Sequence, residues 1–195
     1  MRKLQDPIEQ RMEWARHWTS DSPPLVTAAR YSKFMQLLYS ALYAFSPQGR
    51  QSGNLMRCVR YLKTFQYIIV YNWCCVGVQD LKFRQAEELI SQGHSLTTKF
   101  KTAATYGYQP VSLSKISLEL FRIYLSSFRP FVSGGKCDRP DDSLWLRLDG
   151  NPEIGIGRYV KMFYSSACNL HITTTRMRSL TETVANDLHE VSLVL

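Results

Sequence analysis

Residues 94–113 read HSLTTKFKTAATYGYQPVSL, and this stretch decides how the fold of the whole chain is interpreted. Its first part alternates apolar and polar side chains, a period of two that is typical of a half-buried strand. Gly107 then marks a turn, and a second short apolar run follows it. The stretch therefore predicts an antiparallel β-hairpin with strands over residues 95–101 and 109–113.

This predicted hairpin would carry Lys99, Lys101 and Thr102 along one rim. A lysine held on a rigid hairpin can contact a phosphate, and it can also protonate a departing oxygen. The ordinary alternative is that both lysines merely solvate the outer face of a strand, as strand-face lysines commonly do. Pattern alone leaves both interpretations open.

Composition limits the classes of function. The chain has 195 residues and a net charge of +8, with 45% hydrophobic and 21% charged residues. Those shares are typical of a globular protein, and the positive balance favours a polyanionic partner such as nucleic acid, although many basic proteins bind none. The sequence has no apolar run of about 18 residues, so we expect no membrane span. Its start lacks the pattern of a secretory signal.

Cysteine and histidine usage argues against metal or disulfide chemistry. The five cysteines form no CxxC pair, and the four histidines are scattered along the chain. We therefore expect no zinc site, no disulfide framework and no cofactor, and a reducing intracellular compartment. We interpret Tyr164 as a packing residue and His171 as a loop or strand-end residue.

The rest of the chain has mostly helical periodicity. Apolar residues recur at three and four, which predicts helices over residues 1–18, 26–45, 54–78, 80–89, 118–128, 156–167 and 176–189. Arg129-Pro130 is expected to end the fifth of these, before a loop over residues 132–142, a short strand over 144–148 and a turn over 149–152. The predicted fold is α+β and mainly helical, with a small antiparallel sheet. It consists of an N-terminal helical segment (1–53) and a second unit (54–195).

Three motifs in this order carry a resemblance to a known family. They are YNWCCVGVQDLKF at 71–83, KTAATYG at 101–107 and RSLTET at 178–183. Together with the helical pattern around them, they resemble the catalytic domain of tyrosine recombinases, closest to the diverged, transposon-related forms found in animal genomes. The resemblance covers residues 54–189 and implies that family's fold for this part of the chain.

The resemblance implies a site that acts on a DNA phosphodiester. In that family a tyrosine attacks the phosphate, two arginines stabilise its charge and a hairpin lysine protonates the leaving oxygen. Lys101 matches the hairpin lysine, and Arg178 matches the second arginine. The resemblance therefore predicts that Lys101 and Arg178 open onto one anion-sized space, with Cys75 lining the same cleft.

The match to the family's catalytic residues is incomplete. Cys75 stands where the first arginine is expected, and Thr175 stands where a histidine is usual. With 195 − 178 = 17 residues after Arg178, the late His or Trp and the nucleophilic tyrosine are expected to be missing. Lys101 and Arg178 would then be relics of the family's catalytic site.

Three hypotheses follow from the resemblance and its departures. The first is a DNA-binding domain that has lost catalysis. It would be nuclear or otherwise intracellular and compatible with a homo-oligomer. It would contact the DNA backbone through Lys99, Lys101, Thr102, Arg176 and Arg178. The second is a protein-interaction or structural module that retains only the fold. The third is a fragment of an active recombinase. Salt-dependent DNA binding separates the first from the second, and covalent protein–DNA adducts would identify the third.

Overall fold

A computed structural model of the chain describes residues 2–20, 24–45, 81–92, 94–97, 109–134, 139–173 and 176. These residues are mainly helical, which confirms the predicted class. The predicted helix over 54–78 and nearly all of the one over 176–189 lie outside the described residues.

Six α-helices and two strands are present in this part of the chain. The helices are α1 (Arg2–Arg16), α2 (Ala28–Ala44), α3 (Gln85–Gln92), α4 (Lys115–Ile123), α5 (Arg129–Ser133) and α6 (Ile156–Cys168). A 3₁₀ turn, His17–Thr19, follows α1, and a π-helical turn, Tyr124–Phe128, joins α4 to α5. Strands β1 (His94–Thr97) and β2 (Gln109–Ser112) pair antiparallel, with His94 opposite Ser112.

Helix α2 lies at the centre of the fold. Every residue over 37–45 is buried, so its C-terminal half is covered on all sides, chiefly by α6 and also by α1 and α4. A helix that is largely apolar all round is stable only in such a position. Its start is fixed by Thr27, whose hydroxyl accepts a hydrogen bond from the backbone N–H of Arg30. The helix predicted over 26–45 is thereby confirmed.

Helix α1 packs on this core with one face. Leu4, Ile8, Met12 and Ala15 are buried at a spacing of three and four residues, as the sequence predicts for an amphipathic helix. The Gln5 amide donates a 2.9 Å hydrogen bond to the carbonyl at the end of α2. A single hydrophobic core contains residues of α1 and α2 together with residues of α3, α4 and α6. The predicted boundary between residues 53 and 54 lies outside the described residues.

The end predicted for the helix over 118–128 is wrong. The helix begins earlier, at Lys115, because Ser114 caps it by accepting from the Ser117 N–H at 3.1 Å. The chain then stays helical through the π-helical turn and α5. This helical segment ends at Gly134, which has φ +54°. Pro130 is tolerated because it stands in the first turn of α5, where a backbone N–H has no intrahelical partner.

The strand predicted over 144–148 is also wrong. Only isolated bridges occur there, Lys82 with Ser143 and Leu146 with Pro152. Side chains rather than a neighbouring strand satisfy several carbonyls of this segment, as detailed below. The turn predicted over 149–152 is confirmed, because Gly150 has φ +79° and its N–H donates to the Arg147 carbonyl at 3.0 Å.

The remaining described helices agree with the sequence in kind more closely than in bounds. Helix α3 occupies Gln85–Gln92 rather than 80–89, and α6 closely matches the prediction over 156–167. Strand β1 covers the first part of the predicted strand over 95–101, whose last four residues lie outside the described residues.

Candidate nucleic-acid interface

Most residues of the site predicted from sequence lie outside the described part of the chain. Arg176 is described, and the hairpin strands that lead toward the predicted rim are described up to Thr97 and from Gln109. The structure therefore does not bear on whether the predicted site comes together. The predicted site residues that lie outside the described ranges are Cys75, Lys99, Lys101, Thr102, Thr175 and Arg178.

Hydrogen bonds and burial hold the chain between the end of α6 and Ile172. Helix α6 ends at Asn169, which is left-handed with φ 54°, and the Leu170 N–H donates to the Tyr164 carbonyl at 3.1 Å. The Asn169 N–H also donates to the Ser165 carbonyl at 3.1 Å, and this bond from a left-handed residue is typical of an αL helix ending, which turns the chain away from the helix axis. Ile172 then returns to the core, with 7% of its surface exposed. The segment that leads to Arg176 is thus anchored to the core.

Arg176 lies on the surface at a helical position. Its backbone N–H donates to the hydroxyl of Thr173 at 3.2 Å, the bond that an N-cap residue makes with the third helical residue. The Thr173 hydroxyl therefore holds the backbone at Arg176. A cation in the first turn of a helix is disfavoured by the helix dipole, so its placement here suits contact with an anion.

Arg129 was expected only to end a helix, and the structure gives it a structural role. The residue is 2% exposed, and its guanidinium donates to the carbonyls of Ser143 (3.1 Å) and Leu144. It also lies 4.4 Å above the Phe83 ring centroid. This guanidinium is enclosed by the protein's own acceptors, so it does not face an external anion.

Two tyrosines complete the anchoring of this segment. The hydroxyl of Tyr124 donates to the Leu144 carbonyl at 3.1 Å and accepts from the Leu146 N–H at 3.2 Å. The hydroxyl of Tyr31 donates to the Leu146 carbonyl. Between them Trp145 is 1% exposed, packed at 5.3 Å from the ring of Tyr124. We name Tyr31, Tyr124, Arg129 and Trp145 the buried polar frame.

Several tyrosines of the core are held in the protonated form. Burial raises the pKa of Tyr31, Tyr39, Tyr124 and Tyr164 above the ordinary value. The Tyr164 hydroxyl donates to the Leu4 carbonyl at 2.8 Å, which confirms its predicted packing role. A nucleophilic phenol needs access to its substrate and a lowered pKa or a nearby base. These four side chains have the opposite environment.

One ion pair fixes the start of α6. The Glu153 side chain is 1% exposed, and its two oxygens accept from the Gly155 N–H at 2.6 Å and from the Arg158 guanidinium at 2.9 Å. A carboxylate at a helix N-terminus is favoured both by the free N–H groups and by the dipole. Arg158 is therefore partly occupied by a neighbouring acid, although its side chain is 57% exposed.

Two surface cations lie over aromatic rings, as Arg158 does over the ring of Tyr159, but they differ from Arg158 because neither pairs with a described carboxylate. The Arg11 guanidinium is 4.8 Å from the Phe163 ring centroid, and the Lys33 ammonium is 4.7 Å from the Trp14 ring centroid. Neither is in an ion pair with any carboxylate of the described residues. The sequence shows only the three-residue spacing of positions 11 and 14. It does not show that Arg11 contacts α6 or that Trp14 contacts α2, so neither contact was predicted.

The residues that the structure describes give no support for a metal site or for a membrane-spanning helix. They contain no group of three or more His, Cys, Asp or Glu side chains that could hold a metal ion. None of the helices in the described ranges is long and apolar enough to cross a membrane. His171 is exposed in the loop after α6, as predicted.

Comparison with known proteins identifies no similar family, protein or structure. No protein-family model matches the chain, and neither a curated protein nor a solved structure shows significant similarity to it.

Proposed function

We propose that this protein is a DNA-binding domain related to the catalytic domain of tyrosine recombinases, and that it contacts the DNA backbone without cleaving it. The observation that carries the proposal is the exposed Arg176, whose backbone N–H donates to the hydroxyl of Thr173, the residue that follows the buried Ile172. A net charge of +8 supports a polyanionic partner. The antiparallel pairing of β1 with β2 supports a hairpin at the place where the resemblance requires one.

Binding in this proposal is electrostatic and tolerant of sequence. Lys99, Lys101, Thr102, Arg176 and Arg178 contact phosphates, and such contacts position a protein on duplex DNA without reading bases. Each phosphate neutralised on duplex DNA contributes about 0.9 to the slope of log affinity against log salt. The protein should therefore bind unrelated duplexes with similar affinity and with a steep dependence on salt.

Strand cleavage is absent in this proposal because residues that the family uses for catalysis are replaced in this sequence. A cysteine cannot supply the forked, permanently charged contact of the first arginine, and Cys75 stands at that position. One such electrostatic donor typically contributes about 3 kcal/mol to the transition state. Because no tyrosine follows Tyr164 in the printed sequence, we expect Cys75→Arg alone to leave cleavage by this chain undetectable. Covalent adducts on a nicked duplex would instead support the hypothesis of an active recombinase fragment.

The test is duplex binding by fluorescence anisotropy from low to high salt. We expect the double variant Lys101→Ala, Arg178→Ala to flatten the salt slope by about 2. The control, Lys115→Ala with Lys161→Ala, removes the same charge from two exposed residues on α4 and α6. It should change the slope less.

Equal effects of both pairs would contradict the assigned contacts. No binding by the wild type, even at low salt, would contradict DNA binding altogether.

A second function, a protein-interaction module, is favoured by one specific observation. Leu148 and Ile154 are 46% and 77% exposed on the segment that follows the buried polar frame. Exposed apolar side chains on a well-anchored segment suit contact with another protein. If the wild type fails to bind DNA, a Leu148→Ser, Ile154→Ser variant that loses self-association or partner capture would support this alternative.

A further inference from the structure

The two cation–aromatic pairs on the surface belong to one strip along α1. Arg11 and Trp14 are three residues apart, so they share one side of the helix, with about 5–6 Å between their Cβ atoms. From this side Arg11 reaches the Phe163 ring of α6, and Trp14 meets Lys33 of α2. We name Arg11, Trp14 and Lys33 the α1 strip.

Charge is segregated around α1. Its acidic residues, Asp6, Glu9 and Glu13, recur at three and four residues, so they share a different side of the helix from Arg11 and Trp14. The acids are exposed to solvent. The α1 strip is therefore positive although the helix as a whole carries both signs.

The aromatic rings preorganise these cations. A cation at 4.7–4.8 Å from a ring centroid is attracted by the ring's electron-rich face, which restricts the motion of a long side chain. It keeps its full charge, because the ring is neutral. An ion pair would instead neutralise it, as Glu119 does for Arg16 at 2.7 Å. Fixed, uncompensated cations are suited to phosphate oxygens.

The rings are less suited to nucleobases. Trp14 is half-buried, and its ring packs at 4.7 Å and 70° against that of Trp18. Lys33 lies over the same ring, and Phe163 is 2% exposed beneath Arg11. Stacking on single strands requires an aromatic face that is free. The α1 strip therefore favours the backbone of a duplex.

We propose that the α1 strip is a second phosphate-contacting surface, formed by Arg11 and Lys33 over the rings of Phe163 and Trp14, that binds the backbone of duplex DNA. This inference rests on the proposed function, because it adds contacts to the same duplex from residues outside the set proposed above. Its chemistry is that of the phosphate backbone, so it adds affinity and no sequence preference.

The experiment measures the salt slope of duplex binding for Arg11→Gln, Lys33→Gln. We expect the slope to fall by about 2, equally for unrelated duplexes. The charge-matched control Lys115→Gln, Lys161→Gln should leave it closer to the wild type. The swap Arg11→Lys, Lys33→Arg keeps both charges and should retain most of the slope. Thermal melting checks that each variant is folded.

Tryptophan emission provides a readout at the strip itself. Of the four tryptophans, Trp18 and Trp145 are buried (4% and 1% exposed) and Trp73 lies outside the described residues, so the measurement uses a Trp73→Phe background in which Trp14 is the best placed to report a nearby phosphate. Duplex addition should change the emission of this background, and adding Trp14→Phe should remove most of that change while the duplex is bound with similar affinity.

An unchanged slope in Arg11→Gln, Lys33→Gln, with the wild type still binding duplex, would overturn the strip and leave the proposed function intact. No duplex binding by the wild type would overturn both.

Discussion

Arg129 and Arg11 both lie over phenyl rings, at 4.4 Å and 4.8 Å from the centroids, yet they belong to two regions of opposite character. Arg129 is 2% exposed, and backbone carbonyls of the segment at 143–144 replace its water shell. Arg11 is partly exposed and has no ion pair with the described carboxylates. The same contact therefore stabilises the fold in the buried polar frame and leaves charge available in the α1 strip.

Alkaline pH is expected to have the largest effect on stability, and its largest contribution comes from the buried tyrosines. Burial raises the pKa of Tyr31, Tyr39, Tyr124 and Tyr164, whereas tyrosines of an unfolded chain lose their protons near pH 10. Stability from these groups is thus fully present below about pH 10 and is lost as the pH rises further. One pH unit above that value, the loss is about 1.4 kcal/mol per tyrosine.

Urea unfolding between pH 8 and pH 11, followed with tyrosinate absorbance, checks this expectation. The losses from Tyr31, Tyr39 and Tyr164, whose pKa is raised furthest, together approach the lower end of the stability of an ordinary domain, so marked destabilisation near pH 11 is expected. Tyr164→Phe should reduce the pH dependence by one tyrosine's share. Absorbance from these four residues appearing near pH 10 in a protein that remains folded would contradict it.

Arg129→Ala is expected to be the most damaging single substitution in the buried polar frame. It removes the donor to the Ser143 and Leu144 carbonyls and leaves a cavity beside Phe83. Losses of a buried charged network of this kind cost about 3 kcal/mol or more. Denaturant unfolding measures it, with Arg139→Ala at an exposed arginine as the control. A near-neutral result would mean that carbonyl bonding by Arg129 contributes little.

Two tyrosine substitutions separate bonded from unbonded hydroxyls within the same core. Tyr124→Phe removes an acceptor of the Leu146 N–H and a donor to the Leu144 carbonyl, which should cost about 1–2 kcal/mol. The Tyr39 hydroxyl is buried and has no hydrogen-bond partner within the described ranges, so Tyr39→Phe should be neutral or stabilising. Equal losses in the two variants, measured by thermal unfolding, would show that ring packing rather than hydrogen bonding dominates.

The smallest stability effect is expected in the α1 strip. Arg11→Gln and Lys33→Gln each lose a cation–π contact at the surface, which contributes about 0.5–1 kcal/mol at most. Their main consequence should be on the salt dependence of duplex binding. A loss of stability comparable with that of Arg129→Ala would make the α1 strip a structural element like the buried polar frame.

Local patterns predicted the elements whose burial follows a simple period. Ile8, Met12 and Ala15 mark the buried stripe of α1, and the pattern over 26–45 gives α2. Pattern failed at residues 129–133, because Pro130 resembles a helix stop although α5 starts there. It failed again over 144–148. There the Tyr31 and Tyr124 hydroxyls and the Arg129 guanidinium donate hydrogen bonds to backbone carbonyls in place of a neighbouring strand.

The candidate site residues also divide into those that local sequence predicts and those that only folding brings together. Sequence and resemblance selected Arg176 together with Lys101 and Arg178, and a three-residue spacing brings Arg11 and Trp14 onto one side of a helix. The contacts of Lys33 with Trp14 and of Arg11 with Phe163 join residues that are 19 and 152 positions apart. No local pattern specifies such pairs.

The sequence by itself determined the positive net charge, the mainly helical class and the amphipathic faces of α1 and α6, because these depend on composition and on neighbours three or four residues apart. Tertiary structure alone decided which cations are enclosed and which remain at the surface. That choice depends on carbonyls and rings brought together by folding: Arg129 is solvated by the chain near Ser143, and Arg11 is held at the surface over a ring of α6.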